Sequence, residues 1–491
     1  MITRRLLIFL ALGTSLFAGE SKPNILFILT DDQGWPTLGC YGNKLIATPH
    51  LDRLATEGAR FTAAYAMPQC TPTRAALFTG QHTARTGMWH VLTNPWYGYP
   101  WAPMREPTWR EGLPRDWFTL PKGLRAAGYV TGTAGKWHLT ADADGDYRAL
   151  KPEAGDAFGF DFVAPRGDSQ SAGDKQVDFL TDAAIGFIRE QREKPWFFYL
   201  AHHTVHGPVL APEALIARHR ARGAPEKGSG NATFLAALEH LDNSVGRLMA
   251  ALDELGLRER TLVVFMSDNG GVSRSYDPKP FTEGPGTDTQ LHLANAEFPN
   301  APLRGWKGSP YEGGIRVPCL VRWPGVVAAG RVVEAPAHVV DWLPTLLEVA
   351  GAKPAASHHL DGVSLAPLLR GSGEPAERSL IFHMPLYDLR WGATPCAVVR
   401  RGDWKLIEHF GDRFDAEGKY VSGPHVELFQ LRDDLGETRD LAAREPARRQ
   451  ALLDELHAYL GSCGAEIPGA NPHHEPARAF KETNEKPAFL R

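Results

Sequence analysis

Three apolar runs in this chain end in the same way. Ile25-Leu26-Phe27-Ile28-Leu29 runs into Thr30-Asp31-Asp32. Trp196-Phe197-Phe198-Tyr199-Leu200 is followed closely by His202-His203. Leu262-Val263-Val264-Phe265-Met266 runs into Ser267-Asp268-Asn269-Gly270-Gly271. Continuous apolar runs without polar alternation are the pattern of strands buried on both faces. Helical patterns lie between them. Thr48-Pro49 opens a helix that ends near Gly58, and Leu238, Leu241, Val245, Leu248 and Leu252, spaced by threes and fours, form a core-facing stripe. The alternation predicts an α/β domain around a largely parallel sheet. In open sheets of that kind, ligands bind beyond the carboxyl ends of the strands. Each polar pair alone reads more readily as a turn than as a site. Three such strand ends together read as a site.

The length of 491 residues accommodates one large domain and a smaller one, or about three small ones. The hydrophobic fraction of 43% supports a sizeable core, and the net charge of −4 gives no electrostatic case for nucleic-acid binding. After about residue 372 the texture changes. Ala397–Arg400, a turn at Gly402-Asp403 and Trp404–Ile407 predict a hairpin, Glu427–Leu431 a further strand, and Pro446–Leu460 a helix. The expected division is a signal peptide over 1–18, a catalytic domain over 19–372 and a small C-terminal domain with its tail over 373–491, with the seam at Gly371-Ser372-Gly373. The tail from Gly464 is expected to be an extended wrap or partly disordered. Arg4-Arg5, an apolar run over Leu6–Phe17 and Ala18 read as an export signal, so the protein is expected to be secreted or periplasmic, with no stable membrane insertion. The five cysteines are an odd number, and their pairing does not follow from sequence. Asn231-Ala232-Thr233 is a glycosylation sequon that matters only in a eukaryotic secretory host.

Cys70-Thr71-Pro72-Thr73-Arg74 is a Cys-x-Pro-x-Arg motif leading into Ala75-Ala76-Leu77-Phe78 and stopping at Gly80. It predicts a helix with Thr71 as cap and Pro72 in the first position. Cys70 then sits just ahead of a helix N-terminus, where backbone N–H groups attract an anion. The plainer reading is a buried structural thiol. A thiol phosphatase is disfavoured, because Cys70 and Arg74 are one residue closer than a Cys-x4-Arg spacing and lack a glycine-rich anion loop.

This motif resembles that of the sulfatases of the alkaline-phosphatase-like superfamily, and the resemblance runs through nearly the whole chain after the first twenty residues. Gly135-Lys136-Trp137-His138-Leu139 resembles a second motif of that family. His202-His203-Thr204-Val205-His206-Gly207-Pro208 resembles a third. Gly305-Trp306-Lys307-Gly308-Ser309, leading to Tyr311-Glu312-Gly313-Gly314-Ile315-Arg316-Val317-Pro318, resembles a fourth. The resemblance implies an alkaline-phosphatase-like, largely parallel sheet flanked by helices, with a smaller C-terminal α+β domain carrying an antiparallel sheet. It also implies that Cys70 is oxidised to formylglycine by a formylglycine-generating enzyme, and that the hydrate attacks sulfur. The positions matching its metal ligands are Asp31, Asp32, Asp268 and Asn269, with the oxygen derived from Cys70. These oxygen donors suit calcium, the expected ion, and are compatible with magnesium. Lys136, His206 and Lys307 are expected on the sulfate, with His206 or Lys307 assisting the leaving oxygen. His138 is expected as the base and Arg74 as a stabiliser of the hydrate or a neighbouring ligand. His203 is the second choice for the position of His206, and His202 reads as structural. Glu312 and Arg316 read equally as pocket residues or as a structural pair.

The implied reaction is release of inorganic sulfate from a sulfated carbohydrate or an aryl sulfate. Residues 88–120 hold Trp89, Trp96, Trp101, Trp109 and Trp117 among Arg105, Arg110 and Arg115. They read either as a sugar-stacking, anion-pairing pocket or as a loop packed on the body. Ser273–Arg304 is a second candidate pocket loop. A phosphoester or phosphonate hydrolase on the same fold is the alternative, and a non-catalytic binder of sulfated glycans a more distant one.

Overall fold

The computed structural model describes residues 22–92, 97–140, 148–165, 173–272, 300–415 and 419–490. The export signal, Trp96 and most of the Ser273–Arg304 loop lie outside them. Among the described residues no helix is long and apolar enough to cross a membrane.

The three apolar runs are adjacent strands. Asn24–Thr30 pairs in parallel with Trp196–Ala201 on one side and Thr261–Ser267 on the other. They are central to a nine-stranded sheet in which Arg316–Arg322 runs antiparallel to its neighbours Ala59–Tyr65 and Thr261–Ser267. Alternate residues enter two separate cores. Ile25, Phe27 and Leu29 join one cluster, while Leu26 and Ile28 join the other. This is why these strands are apolar throughout: a polar residue at any of their interior positions is buried on one side or the other.

The helix carrying the leucine stripe spans Ala232–Glu254, and its Leu241, Val245, Leu248 and Leu252 enter the second core. Its cap is Asn231, whose side chain accepts a hydrogen bond from the Phe234 amide at 2.9 Å. The same side chain donates to the Gly228 carbonyl at 3.0 Å, and the residue is buried. The sequon asparagine is thus a helix cap. All five cysteines are free thiols.

The C-terminal hairpin forms as Cys396–Arg401 against Trp404–His409. Ser379–Met384 and His425–Gln430 complete a four-stranded antiparallel sheet. One face of it, through Ile381, Ala397, Val399, Leu406 and Leu428, packs on Leu452, Leu456 and Leu460 of the helix Pro446–Cys463. The other face, through Leu380, Phe382, Val398, Ile407 and Phe429, belongs to the first core of the main sheet.

A buried charge network pins this sheet to the segment that carries Lys307. Lys405 Nζ lies 2.7 Å from Glu437 and 3.0 Å from Glu312, with all three side chains excluded from water. Glu312 also takes Arg316 at 3.2 Å and the Tyr65 hydroxyl at 2.6 Å. The Glu312–Arg316 pair is therefore part of the seam between the sheets. Lys405→Met leaves two buried carboxylates short of their cation, a change that typically costs about 3–5 kcal/mol. We expect a clear fall in the urea midpoint of fluorescence-detected unfolding. An unchanged midpoint would show that the network contributes nothing to stability.

Candidate active site

The ends of the three central strands are locked by their own backbones. The Asp268 amide donates to the Thr30 carbonyl at 3.0 Å, and the Asp32 amide donates to Asp268 Oδ1 at 3.1 Å. The histidine segment is tied in by Asp31 N–H to Thr204 O at 3.0 Å and Val205 N–H to Asp31 O at 2.7 Å. Lys136 follows the strand Val130–Gly135, and its amide donates to Ala201 at 2.8 Å. Gly135 permits this approach: its φ is +97°, and a Cβ there would sit 1.9 Å from the Ala201 carbonyl oxygen. Lys307 is fixed by its amide on the Gly271 carbonyl at 3.0 Å, and Gly308 by its amide on Pro68 at 2.8 Å. Asp32 and His138 both adopt left-handed backbone, at φ +59° and +56°. Non-glycine residues rarely do so, and such strain gathers at functional sites.

Cys70 is the first residue of the helix Cys70–Thr79, which ends with Gly80 at φ +64°. Gln69 is the cap position, so Thr71 and Pro72 lie two positions further into the helix than the motif alone predicts. Thr71 has a different task. Its hydroxyl donates to the His138 carbonyl at 2.8 Å and accepts from the Leu92 amide at 3.2 Å, coupling the two motifs. Gln69 Nε2 donates to Asp388 of the C-terminal part at 2.9 Å.

Around Cys70 the side chains close into one cluster. Sγ lies 3.3 Å from Asp31 Oδ1 and 3.6 Å from Lys307 Nζ. Lys136 Nζ pairs with Asp31 at 2.6 Å, Lys307 with Asp32 at 2.7 Å and Arg74 with Asp268 at 2.7 Å. Arg74 also donates to the Lys136 carbonyl at 2.9 Å and to the Tyr199 hydroxyl at 3.0 Å, so a wholly buried guanidinium holds three elements together. His206 Nε2 is 3.9 Å from Asp32, and its Nδ1 faces the Gly207 carbonyl at 2.7 Å. His138 Nε2 contacts the Leu92 carbonyl at 2.8 Å.

Burial alone would raise the Asp31 carboxyl, but Lys136 foremost, with His206, Arg74 and Lys307, holds it well below the usual carboxylate range. Burial first, then Asp268 and Asp31, pushes the Cys70 thiol far above its ordinary range, so it stays protonated. Such a thiol is a poor nucleophile, because the thiolate is the reactive form. Burial and then Lys136 hold His138 well below the usual imidazole range, so its ring is neutral.

Oxygen and sulfur atoms of Asp31, Asp32, Asp268 and Cys70 all lie within 4.8 Å of one another. Asn269 Nδ2 donates to Asp32 at 2.8 Å, while its fully buried Oδ1 has no hydrogen-bond partner. Three carboxylates and an unsatisfied amide oxygen at one buried point fit a hard divalent cation.

A family profile described as Sulfatase matches residues 23–352. The chain belongs to the sulfatase family. A second profile, described as N-sulphoglucosamine sulphohydrolase, C-terminal, matches residues 306–463. This sulfatase is 33% identical to arylsulfatase A of Homo sapiens over 514 residues, covering 93% of this chain and 91% of the relative. It is 30% identical to steryl-sulfatase of Mus musculus over 542 residues, covering 89% and 81%. The solved structure of Ps i-CgsB in complex with k-i-k-neocarrahexaose superposes with a TM-score of 0.69 at 26% identity, covering 90% of this chain and 93% of that one. The enzyme hydrolyses sulfate esters, and its fold is the largely parallel, helix-flanked sheet with a separate antiparallel sheet.

The structure brings Asp31, Asp32, Cys70, Arg74, Lys136, Asp268, Asn269 and Lys307 of this sulfatase into one buried cluster, with His206 at its edge. His138 stands beside it through Thr71. His203 is half-buried, and burial with Lys136 pushes it down to about 3. His202 is fully buried against Ser244 at 3.3 Å. Of the arginines in the tryptophan-rich segment, Arg110 lies 5.0 Å over the Trp117 ring and donates to the Thr86 carbonyl, so it packs on the body. Sequence reasoning missed Trp391, whose ring lies 5.2 Å from Lys307 Nζ. It also missed Asp388. Both come from the C-terminal part, and no local pattern marks a residue whose relevance depends on a contact across 80 or more positions.

Proposed function

We propose that this sulfatase releases inorganic sulfate from a sulfated carbohydrate or an aryl sulfate, using formylglycine formed from Cys70 and a divalent cation, with calcium the expected ion. The observation that carries this reading is Cys70 itself. It begins a buried helix between Asp31 and Lys307 as a thiol held protonated, a poor place for a thiolate nucleophile and a fitting one for a cysteine consumed by modification. The hydrated aldehyde supplies two hydroxyl groups for attack on sulfur and release of sulfate, and the cation supplies charge neutralisation.

Asp31, Asp32, Asp268 and Asn269 hold the cation in this reading. Three carboxylates are matched by Arg74, Lys136 and Lys307, so a bound dication leaves the pocket net positive and receptive to an anionic ester. Lys136, Lys307 and His206 hold the sulfate oxygens, and Lys307 or His206 assists the departing oxygen. Neutral His138 takes a proton. Arg74, committed to Asp268, Tyr199 and the Lys136 carbonyl, acts as a positioning residue. Maturation requires a formylglycine-generating enzyme, and the N-terminal segment directs the protein to the periplasm or beyond.

Matched sulfate and phosphate monoesters of one aryl alcohol, compared by kcat/KM on protein matured with that enzyme, test the reaction class. We expect sulfate to be preferred. Preference for the phosphorus ester would replace this reading with a phosphoester or phosphonate hydrolase.

A further inference from the structure

Outside the catalytic cluster, a cavity of about 280 Å³ lies between residues 97–111 and the C-terminal segment 471–489. Its walls are tied together. Met104–Arg105 pairs antiparallel with Gly469–Ala470. Asn471 Nδ2 donates to the Pro100 and Ala102 carbonyls at 2.9 and 2.7 Å, and the Tyr97 amide donates to Thr483 at 2.9 Å. The Arg478 guanidinium lies 3.3 Å over the Trp101 ring. The tail is therefore an extended wrap with a defined seat.

The lining is aromatic and polar. Tyr97 is 37% exposed and Phe489 38%; they are two of six large apolar side chains left exposed among the described residues, and both border this cavity. His473 stacks on Phe489 at 4.0 Å with 14° between the rings, and half-buried Trp109 leans on His90 at 5.3 Å. The acidic and basic groups here include Arg105, Glu106 and Glu111; burial pushes the Glu106 carboxyl up to about 8, so Arg105 faces Glu111 with no net positive charge to suit a polyanion. Flat aromatic faces with hydrogen-bonding edges fit a pyranose ring, which is apolar across its C–H faces and polar at its rim. The volume lies near the roughly 300 Å³ lower end of small-ligand pockets, room for one sugar.

Two contacts join the cavity to the chemistry. Glu106 accepts a hydrogen bond from the Tyr387 amide at 2.6 Å, and the next residue, Asp388, holds Gln69 beside Cys70. His90 stands two residues before Leu92, whose carbonyl meets His138. We infer that this cavity is a subsite for an uncharged sugar ring of the same chain that presents its sulfate at Cys70. The natural substrate is then a sulfated oligosaccharide, with a simple aryl sulfate only a surrogate. The inference rests on the sulfate-ester reading of the Cys70 site.

The test is calorimetric binding of disaccharides and hexasaccharides from carrageenan, heparin and chondroitin sulfate to the full-length Cys70→Ala protein. The expected result is at least one hexasaccharide bound ten-fold or more tightly than its own disaccharide, with that advantage falling below two-fold in the added double substitution Tyr97→Ala, Phe489→Ala. Both side chains are substantially exposed, so their truncation opens no core. No length advantage in any series, or an advantage that survives the double substitution, overturns the subsite. Hydrolysis of 4-nitrophenyl sulfate by the parent enzyme separates the two claims. If it persists while the length advantage is missing, the subsite fails and the Cys70 reading stands; if it is absent while the length advantage is present, the reverse holds.

Discussion

Cys70→Ser is expected to abolish turnover of sulfate esters, by at least about 10⁴-fold in kcat, as removal of a catalytic nucleophile generally does. The substitution is nearly isosteric in a helix whose first residue is buried, and it leaves Asp31, Lys307 and the helix N-terminus in place. The fold and the binding of an anionic ester are therefore expected to survive. What serine lacks is the second hydroxyl at the same carbon, so it has no group to release sulfate. A thiol mechanism predicts something different. The protonated, buried Cys70 would have to ionise between carboxylates, and activity would rise steeply with pH and need no oxidised form of the residue. Steady-state sulfate release by Cys70→Ser near the parent rate would sink the formylglycine account.

Chelation is expected to have the second-largest effect. Dialysis against EDTA should lower kcat/KM by more than about 100-fold, because a divalent ion opposite a developing negative charge contributes several kcal/mol to transition-state stability. Calcium should restore activity, and elemental analysis should give close to one ion per chain. Asp268→Asn should weaken metal retention and also remove the carboxylate paired with Arg74, so it is expected to lower both metal content and thermal stability. Full activity in EDTA at zero metal content would remove the cation from the account. In that case the ester would depend on Lys136 and Lys307, and their pairing with Asp31 and Asp32 would have to break for substrate to bind.

Much of this was legible in the sequence, for identifiable reasons. The central strands are buried on both faces, so apolar continuity marked them, and the residues just past their ends had to form the site. The four short motifs carry Cys70, Lys136, His206 and Lys307, and the fold brings them to the strand ends. Thr71 is a good capping type, yet the helix starts two residues earlier than that cap implies, and the Thr71 hydroxyl is used across the pocket on His138. The sequon at Asn231 was read without its helix, whose first turn uses that side chain. The assignments of Glu312 and Arg316 stayed open because both a pocket and a salt-bridge seam want the same pair. The partners that decided it, Lys405 and Glu437, lie about 100 positions away. For the same reason Asp388 and Trp391 were invisible: they reach Gln69 and Lys307 only once the C-terminal sheet has docked.

The most direct measurement is inorganic sulfate released from 4-nitrophenyl sulfate and a panel of sulfated sugars. It would compare the enzyme matured with a formylglycine-generating enzyme and its Cys70→Ala variant, with the oxidation state of the Cys70 peptide read by mass spectrometry in the same preparations. The account predicts release that scales with the oxidised fraction and vanishes in the variant. Release that is independent of oxidation at Cys70, or that persists in Cys70→Ala, would contradict it.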